Sequence, residues 1–202
     1  MRIFFIILLS VLFFGIASAG DDGMVSSQKY IIVFRDDTVG NFTVSKSMVN
    51  DTVVYLYQSV ADIRVFKKYH VDVFKKTKYH NNRLIHSFAR NIVNGKTRDE
   101  TITTWNPQKM TYINNKDGDI TEDNRPITFS GVRMFFDQPV NEKTIFSELR
   151  VTFDEVSRGV DDSFEVNYGF RGGTTYFYKQ GEPYKLIVDY FVVDFEMFRV
   201  NN

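Results

Sequence analysis

Few residues in this chain are of types that do chemistry, and their spacing narrows what chemistry is open. Cysteine is absent, and histidine occurs only as His70, His80 and His86. His70 and His80 share parity on one extended stretch, yet the strand between them holds them roughly 33 Å apart, too far to share a metal. Residues 115–119 are rich in Asn and Asp, but Ile120 stands where a calcium loop needs its glycine. No serine elbow, His-Glu-x-x-His, Gly-rich phosphate loop or cysteine pair occurs. The sequence therefore predicts no catalytic residue, no metal ligand and no cofactor. Carboxylates in turn-like segments, Asp161-Asp162 among them, keep an extracellular Asp/Glu hydrolase open as a third option.

One constellation does emerge, from pairing arithmetic. Asn81-Asn82 and Asn94-Gly95 have the residues of two-residue hairpin turns, because Asn and Gly accept positive φ. With those turns, Tyr79 pairs with Leu84 and then Trp105, and Thr77 with His86 and then Thr103. Lys75 pairs with Phe88 and then Thr101, and Val73 with Arg90 and then Asp99. Paired side chains share a face, so His86, Arg90, Asp99, Trp105 and Tyr79 become one candidate ligand site. It has a polar floor, an aromatic lip and an Arg90–Asp99 ion pair. A concave face makes this a pocket and a convex face makes it an ordinary solvated surface. A one-residue slip in either turn would throw a strand onto the other face.

The elements that must position these residues are strands. Short runs rich in Val, Ile, Phe, Tyr and Thr alternate with turn signals, and no stretch keeps helical spacing for three turns. Runs are predicted over 29–35, 40–48, 109–114, 145–156, 163–170, 174–179 and 184–200. A long extended stretch over 52–80 is read as two strands or as one broken near Asp62. An irregular segment opens at Pro126 and runs to Pro139. The fold class this predicts is all-β: a single-domain antiparallel up-and-down barrel or half-barrel with short hairpin turns. A membrane-spanning barrel fits poorly, because Lys67, Lys68, Lys75, Lys76 and Lys78 fall on both faces of the longest stretch.

The start of the chain reads as an export signal. Arg2 precedes an apolar run over 3–16, and Ala17-Ser18-Ala19 is a small-residue cleavage site. The run is shorter than the roughly 18 residues a spanning helix needs. The predicted organisation is a signal peptide over 1–19, a polar leader over 20–28 and a β domain over 29–202. Asn41-Phe42-Thr43 and Asn50-Asp51-Thr52 match the N-glycan acceptor pattern, which matters only in a eukaryotic secretory pathway. Charge is balanced, with 25 Lys+Arg against 25 Asp+Glu, which argues against a nucleic-acid partner. It is unevenly spread: from Arg64 to Arg98 ten cations face one acid, Asp72. Such a basic meander suits anionic lipid or polysaccharide, and lysines on a sheet edge also guard against aggregation.

Several short segments carry a resemblance. They are Asn94-Gly95-Lys96 followed by Trp105 and Tyr112, Ile127-Thr128-Phe129-Ser130, Met134-Phe135-Phe136 with Pro139, Ile145-Phe146-Ser147-Glu148, and Tyr176, Tyr178 and Gly181. In these the chain resembles an uncharacterised domain-of-unknown-function family of small exported proteins common in Bacteroidetes-type bacteria. The resemblance implies a β fold and a periplasmic or extracellular location, and no activity or catalytic residues. The expectation is an exported, non-catalytic binding or envelope-associated barrel holding an amphipathic, lipid-like ligand. A protein-interaction or assembly module without a small ligand stands as its rival. N-terminal sequencing of the exported protein should return a chain beginning at about Gly20. Recovery of Met1 in a membrane fraction would contradict the cleavage site.

Overall fold

The computed structural model describes residues 23–190 and 193–200. The predicted signal peptide lies outside the described residues. Fourteen strands alternate with tight turns: β1 (Gly23–Phe34), β2 (Asp37–Val49), β3 (Thr52–Arg64), β4 (Lys68–His80), β5 (Arg83–Val93), β6 (Lys96–Asn106), β7 (Thr111–Lys116) and β8 (Asp119–Asp123). After an irregular segment follow β9 (Thr144–Ser147), β10 (Thr152–Arg158), β11 (Ser163–Asn167), β12 (Gly172–Lys179), β13 (Glu182–Tyr190) and β14 (Val193–Val200). All belong to one antiparallel sheet, in which β14 pairs with β1 and the free edges are β8 and β9. The barrel class is as predicted, and the barrel is not closed by hydrogen bonds. No helix among the described residues is long and apolar enough to cross a membrane.

Turn chemistry sets this meander. Arg35-Asp36, Asn50-Asp51, Asn81-Asn82, Asn94-Gly95 and Gln180-Gly181 all place two consecutive residues at positive φ, the twist that matches flanking strands. Four predicted boundaries move. β1 already begins at Gly23, inside the predicted leader, and the 52–80 stretch breaks at residues 65–67 rather than near Asp62. The predicted runs 145–156 and 184–200 are each two antiparallel strands, β9 and β10 joined by a turn at 148–151, and β13 paired with β14. Leu149 and Val151 keep a strand-like alternation through residues 148–151, with no Gly, Pro, Asn or Asp to signal a stop there.

The irregular segment fills the barrel. Between β8 and β9 the chain enters the lumen, forms one short 3-10 helix (Gly131–Phe135) and leaves again. Ile127, Phe129, Val132, Met134 and Phe135 of this plug are all at most 6% exposed. Its backbone is satisfied by the wall: Leu84 donates to the Ile127 carbonyl, Phe146 to that of Phe129, and the Tyr178 hydroxyl to that of Met134 at 2.8 Å. Ser130 also bridges Phe146 in parallel, which covers the inner part of the β9 edge. Phe135 sits edge-on against Tyr30, Phe42 and Tyr176 with ring centroids 5.4–5.8 Å away, while Tyr30 and Phe42 stack at 4.6 Å. Edge-to-face aromatic pairs add to the area they bury.

Two outcomes test this account. Phe135→Ala should destabilise the fold by about 3–5 kcal/mol in a denaturant melt, since it empties the centre of a ring cluster from three strands. Gly95→Val should cost about 1 kcal/mol through backbone strain alone. Its φ is +73° and a Cβ there meets nothing within 4 Å, so no clash adds to that cost.

Candidate functional site

The predicted constellation is brought together only in part, and two β-bulges explain why. β5 carries an extra residue, Ile85, opposite β4, so Tyr79 pairs with Leu84 but Lys78 pairs with His86. β6 carries an extra residue, Arg98, opposite β5, so Arg90 pairs with Glu100 and Asn91 with Asp99. Each bulge shifts the register by one residue. The predicted Arg90–Asp99 pairing is therefore incorrect, and so is the pairing of Thr77 with His86. The first bulge turns His86, Phe88 and Arg90 to the outer face, and the second returns β6, so β4 and β6 keep the predicted inward parity.

His86 lies on the outside, where its Nδ1 is 3.3 Å from Thr104 Oγ1. Partial burial, then Lys78 and Lys76, hold its pKa below the ordinary value. Arg90 lies over the Phe88 ring, also outside. Tyr79 and Trp105 point inward but belong to the packed core: Tyr79 is 3% exposed, and Trp105 lies between Tyr112 and the Arg83 guanidinium. Of the five, Asp99 alone lines a cleft.

That cleft has a volume of about 340 Å³, within the range of small-ligand sites. Its walls come from Lys75 of β4, Asn91 of β5, Asp99 of β6, Lys116 of β7, the β9–β10 turn, and Tyr168 and Arg171 beside β12. It shares Lys116, Arg150, Asp154, Tyr168 and Arg171 with an outer depression that Phe153 and Phe170 also line. Because antiparallel turns alternate between the ends of a barrel, it opens at the end that carries the turns 35–36, 65–67, 94–95 and 117–118.

At the cleft floor lies Glu148, whose side chain is fully buried. One carboxylate oxygen accepts from the Val132 N–H of the plug at 2.9 Å, and the other lies 3.2 Å from Lys75 Nζ. Gly131 allows this approach, since a Cβ there would stand 3.1 Å from Glu148 Oε2. The Glu148 carbonyl accepts from Thr101 Oγ1 at 2.7 Å. Asp154 is ion-paired with Arg150, whose guanidinium lies 4.0 Å over the Tyr168 ring. Burial raises the Asp154 pKa against the pull of Arg150. Burial likewise raises both Tyr168 and Tyr176, so each presents a protonated phenol at neutral pH.

The charge count of the cleft follows from these pairs. Lys75 is matched by Glu148 and Arg150 by Asp154, while Asp99 accepts from the Asn91 side-chain amide at 3.2 Å. Lys116 and Arg171 have no carboxylate partner among the described residues. Three carboxylates line the space, each engaged by a partner that holds it in place. Among the described residues no three His, Cys, Asp or Glu side chains are grouped to hold a metal. Sequence reasoning missed Glu148, Lys116, Arg150, Asp154 and Arg171. Only Lys75 carried a signal, its inward parity on β4.

Fold and cleft thus define a plugged, open β-barrel with a charged cleft at one end. The chain belongs to the family Domain of unknown function (DUF6134), whose model matches residues 30–192. This confirms the resemblance to an uncharacterised domain-of-unknown-function family. No curated protein matches the chain. Among solved structures it is similar to the crystal structure of a beta-barrel-like protein of domain of unknown function DUF1849 from Brucella abortus. That similarity covers 89% of this chain and 98% of the other at 10% identity, with a TM-score of 0.48.

Two substitutions separate the roles of the buried pair. Lys75→Met leaves a carboxylate buried without its cation and should cost about 3–5 kcal/mol in a chemical melt at neutral pH. Glu148→Gln keeps an acceptor for Val132 and leaves Lys75 near solvent, so it should cost less. Equal losses for the two variants in chemical melts would contradict the pairing. A second network lies at the other end of the plug, where Asp137 accepts from Arg133 at 2.8 Å and lies 3.5 Å from Lys46. Burial works against its charge, yet Arg133, Lys46 and the Tyr55 hydroxyl together hold its pKa below the ordinary value. Its stabilising contribution is therefore complete above the unfolded carboxyl pKa of about 3.9 and fades as pH falls through the lower folded value. Asp137→Asn should destabilise by about 1–2 kcal/mol at neutral pH, with the gap closing in stronger acid.

Proposed function

We propose that this is an exported, non-catalytic binding protein of the cell envelope that holds a small amphipathic ligand with an anionic head in the cleft. The observation that carries this reading is a surplus of one positive charge: Lys75, Lys116, Arg150 and Arg171 line the cleft with Asp99, Glu148 and Asp154, and Lys116 and Arg171 are not ion-paired among the described residues. An anionic head between them gains charge-assisted hydrogen bonds, and the protonated Tyr168 and Tyr176 add neutral polar surface. Phe153 and Phe170 line the outer depression, where an apolar portion fits. A purely apolar tail does not suit the inner cleft, because the plug occupies the lumen. Non-catalytic binding is favoured over hydrolysis because Asp99, Glu148 and Asp154 are each tied to a fixed partner. Export is supported by the leader pattern of residues 1–19.

Calorimetric titration with dodecyl phosphate should show one binding site per chain. Lys116→Ala and Arg171→Ala should each weaken it about tenfold, the worth of a hydrogen bond to a charged group. Absence of binding by both dodecyl phosphate and dodecanoate, or undiminished affinity in the double variant, would refute the reading.

A further inference from the structure

Phe66 is 98% exposed at the tip of the β3–β4 turn. A single exposed phenylalanine is ordinary, so its surroundings decide whether it has a use. Arg64, Lys67 and Lys68 are exposed on the same turn, and residues 63–71 include no carboxylate. This turn is fixed to the next one by two hydrogen bonds of 2.8 Å, from His70 N–H to Asn94 Oδ1 and from Asn94 N–H to the His70 carbonyl. The second turn adds Lys96 and Arg98, both exposed. Of the nearby acids, Asp62 is engaged by Lys68 and His70, Asp99 faces the lumen beside Asn91, Glu100 stands opposite Arg90 in the register of β5 and β6, and Asp72 lies one strand repeat in from His70. Two rigidly joined turns thus present five cations around one apolar wedge.

We propose that this tip docks the protein on an anionic lipid bilayer, with Phe66 entering the interface and Arg64, Lys67, Lys68, Lys96 and Arg98 meeting acidic headgroups. A cationic surface bearing an aromatic side chain is the arrangement that interfacial binding uses. An acidic polysaccharide would need the cations and not the wedge. A second copy of the chain would need a broader apolar patch than one ring supplies. The tip stands at the barrel end where the cleft opens, so docking brings the cleft mouth to the bilayer surface. The inference does not rest on the cleft's ligand.

The test is co-sedimentation of the exported chain with vesicles of phosphatidylcholine containing phosphatidylglycerol, against vesicles of phosphatidylcholine alone. Binding should occur with the acidic vesicles and weaken as salt rises. Each cation near such a surface contributes about fivefold, so Lys67→Glu and Lys96→Glu should each lower binding by at least that factor, and Phe66→Ser by about tenfold. Unchanged thermal melts would exclude unfolding as the cause. Phe66→Trp should give an emission that shifts to the blue only with acidic vesicles. The Lys116→Ala, Arg171→Ala double variant should still sediment, which separates this proposal from the cleft reading. No sedimentation with acidic vesicles, wild-type binding by Phe66→Ser and Lys67→Glu, or an unshifted tryptophan in the bound protein would overturn the proposal. So would a dimer in light scattering that Phe66→Ser dissociates, because the occupant would then be a second copy.

Discussion

A wall of fourteen strands encloses more space than its own side chains fill, since barrels of about eight strands are the size that packs itself. The structure depends on how that surplus is occupied. The plug between β8 and β9 occupies it with chain rather than water, and this imposes a second requirement. A backbone that is not part of a ladder must still satisfy its N–H and C=O groups when buried. The wall supplies the partners as side chains: the Tyr112 hydroxyl accepts from Ile127 N–H, the Tyr178 hydroxyl donates to the Met134 carbonyl, and Glu148 accepts from Val132 N–H. The many inward tyrosines follow from this, because each covers apolar surface and ends in a group that can meet the plug.

Glu148 shows how far the arrangement goes. A buried carboxylate is costly, and alone it would argue for protonation or rearrangement. Here it receives a backbone N–H from the plug and the Lys75 ammonium from the opposite wall, so one group ties β4, the plug and the β9–β10 turn together. The Asp137 network does the same at the plug's exit, where Arg133 also reaches the Thr128 carbonyl and the Asn82 side chain. Both clamps pair a charge on one element with a partner on another, so loosening either releases the plug as well as an ion pair.

What the sequence disclosed and what it withheld divide along physical lines. Two-residue turns with Asn and Gly are local chemistry, and Asn81-Asn82 and Asn94-Gly95 were legible as such. Strand parity within β1 was legible too, with Tyr30, Ile32 and Phe34 all buried. The bulges at Ile85 and Arg98 were not, because neither residue type marks a bulge, and the first moved His86 and Arg90 to the outside. The cleft was hidden for another reason. Lys75, Lys116, Glu148 and Arg171 come from four separate places in the chain, and only the return of β14 to β1 brings the two halves of the sheet around one lumen. Pro126 and Pro139 bounded an irregular segment correctly, but nothing in its composition distinguishes a plug from a surface loop.

The position of the cleft follows from the path of the plug. Residues 124–143 leave β8 and rejoin β9 at the same end of the barrel, so the plug fills that end and the middle and turns back. Toward β1, β2 and β12 it meets the aromatic cluster around Phe135. Toward β4–β7 it meets a polar row, Thr77, Ser87, Thr103 and Asn114, aligned by strand register, in which Thr103 donates to Asn114 Oδ1 at 2.8 Å. Among the described residues the plug does not reach the opposite end of the lumen, and there the inward residues of β4, β6 and β7 are Lys75, Asp99 and Lys116. Charged side chains are tolerated at those positions because water or a ligand can reach them, whereas one strand-repeat deeper each would have needed a partner. The same feature that completes the core therefore leaves a charged cleft at one end, beside the turns that carry Phe66 and its cations.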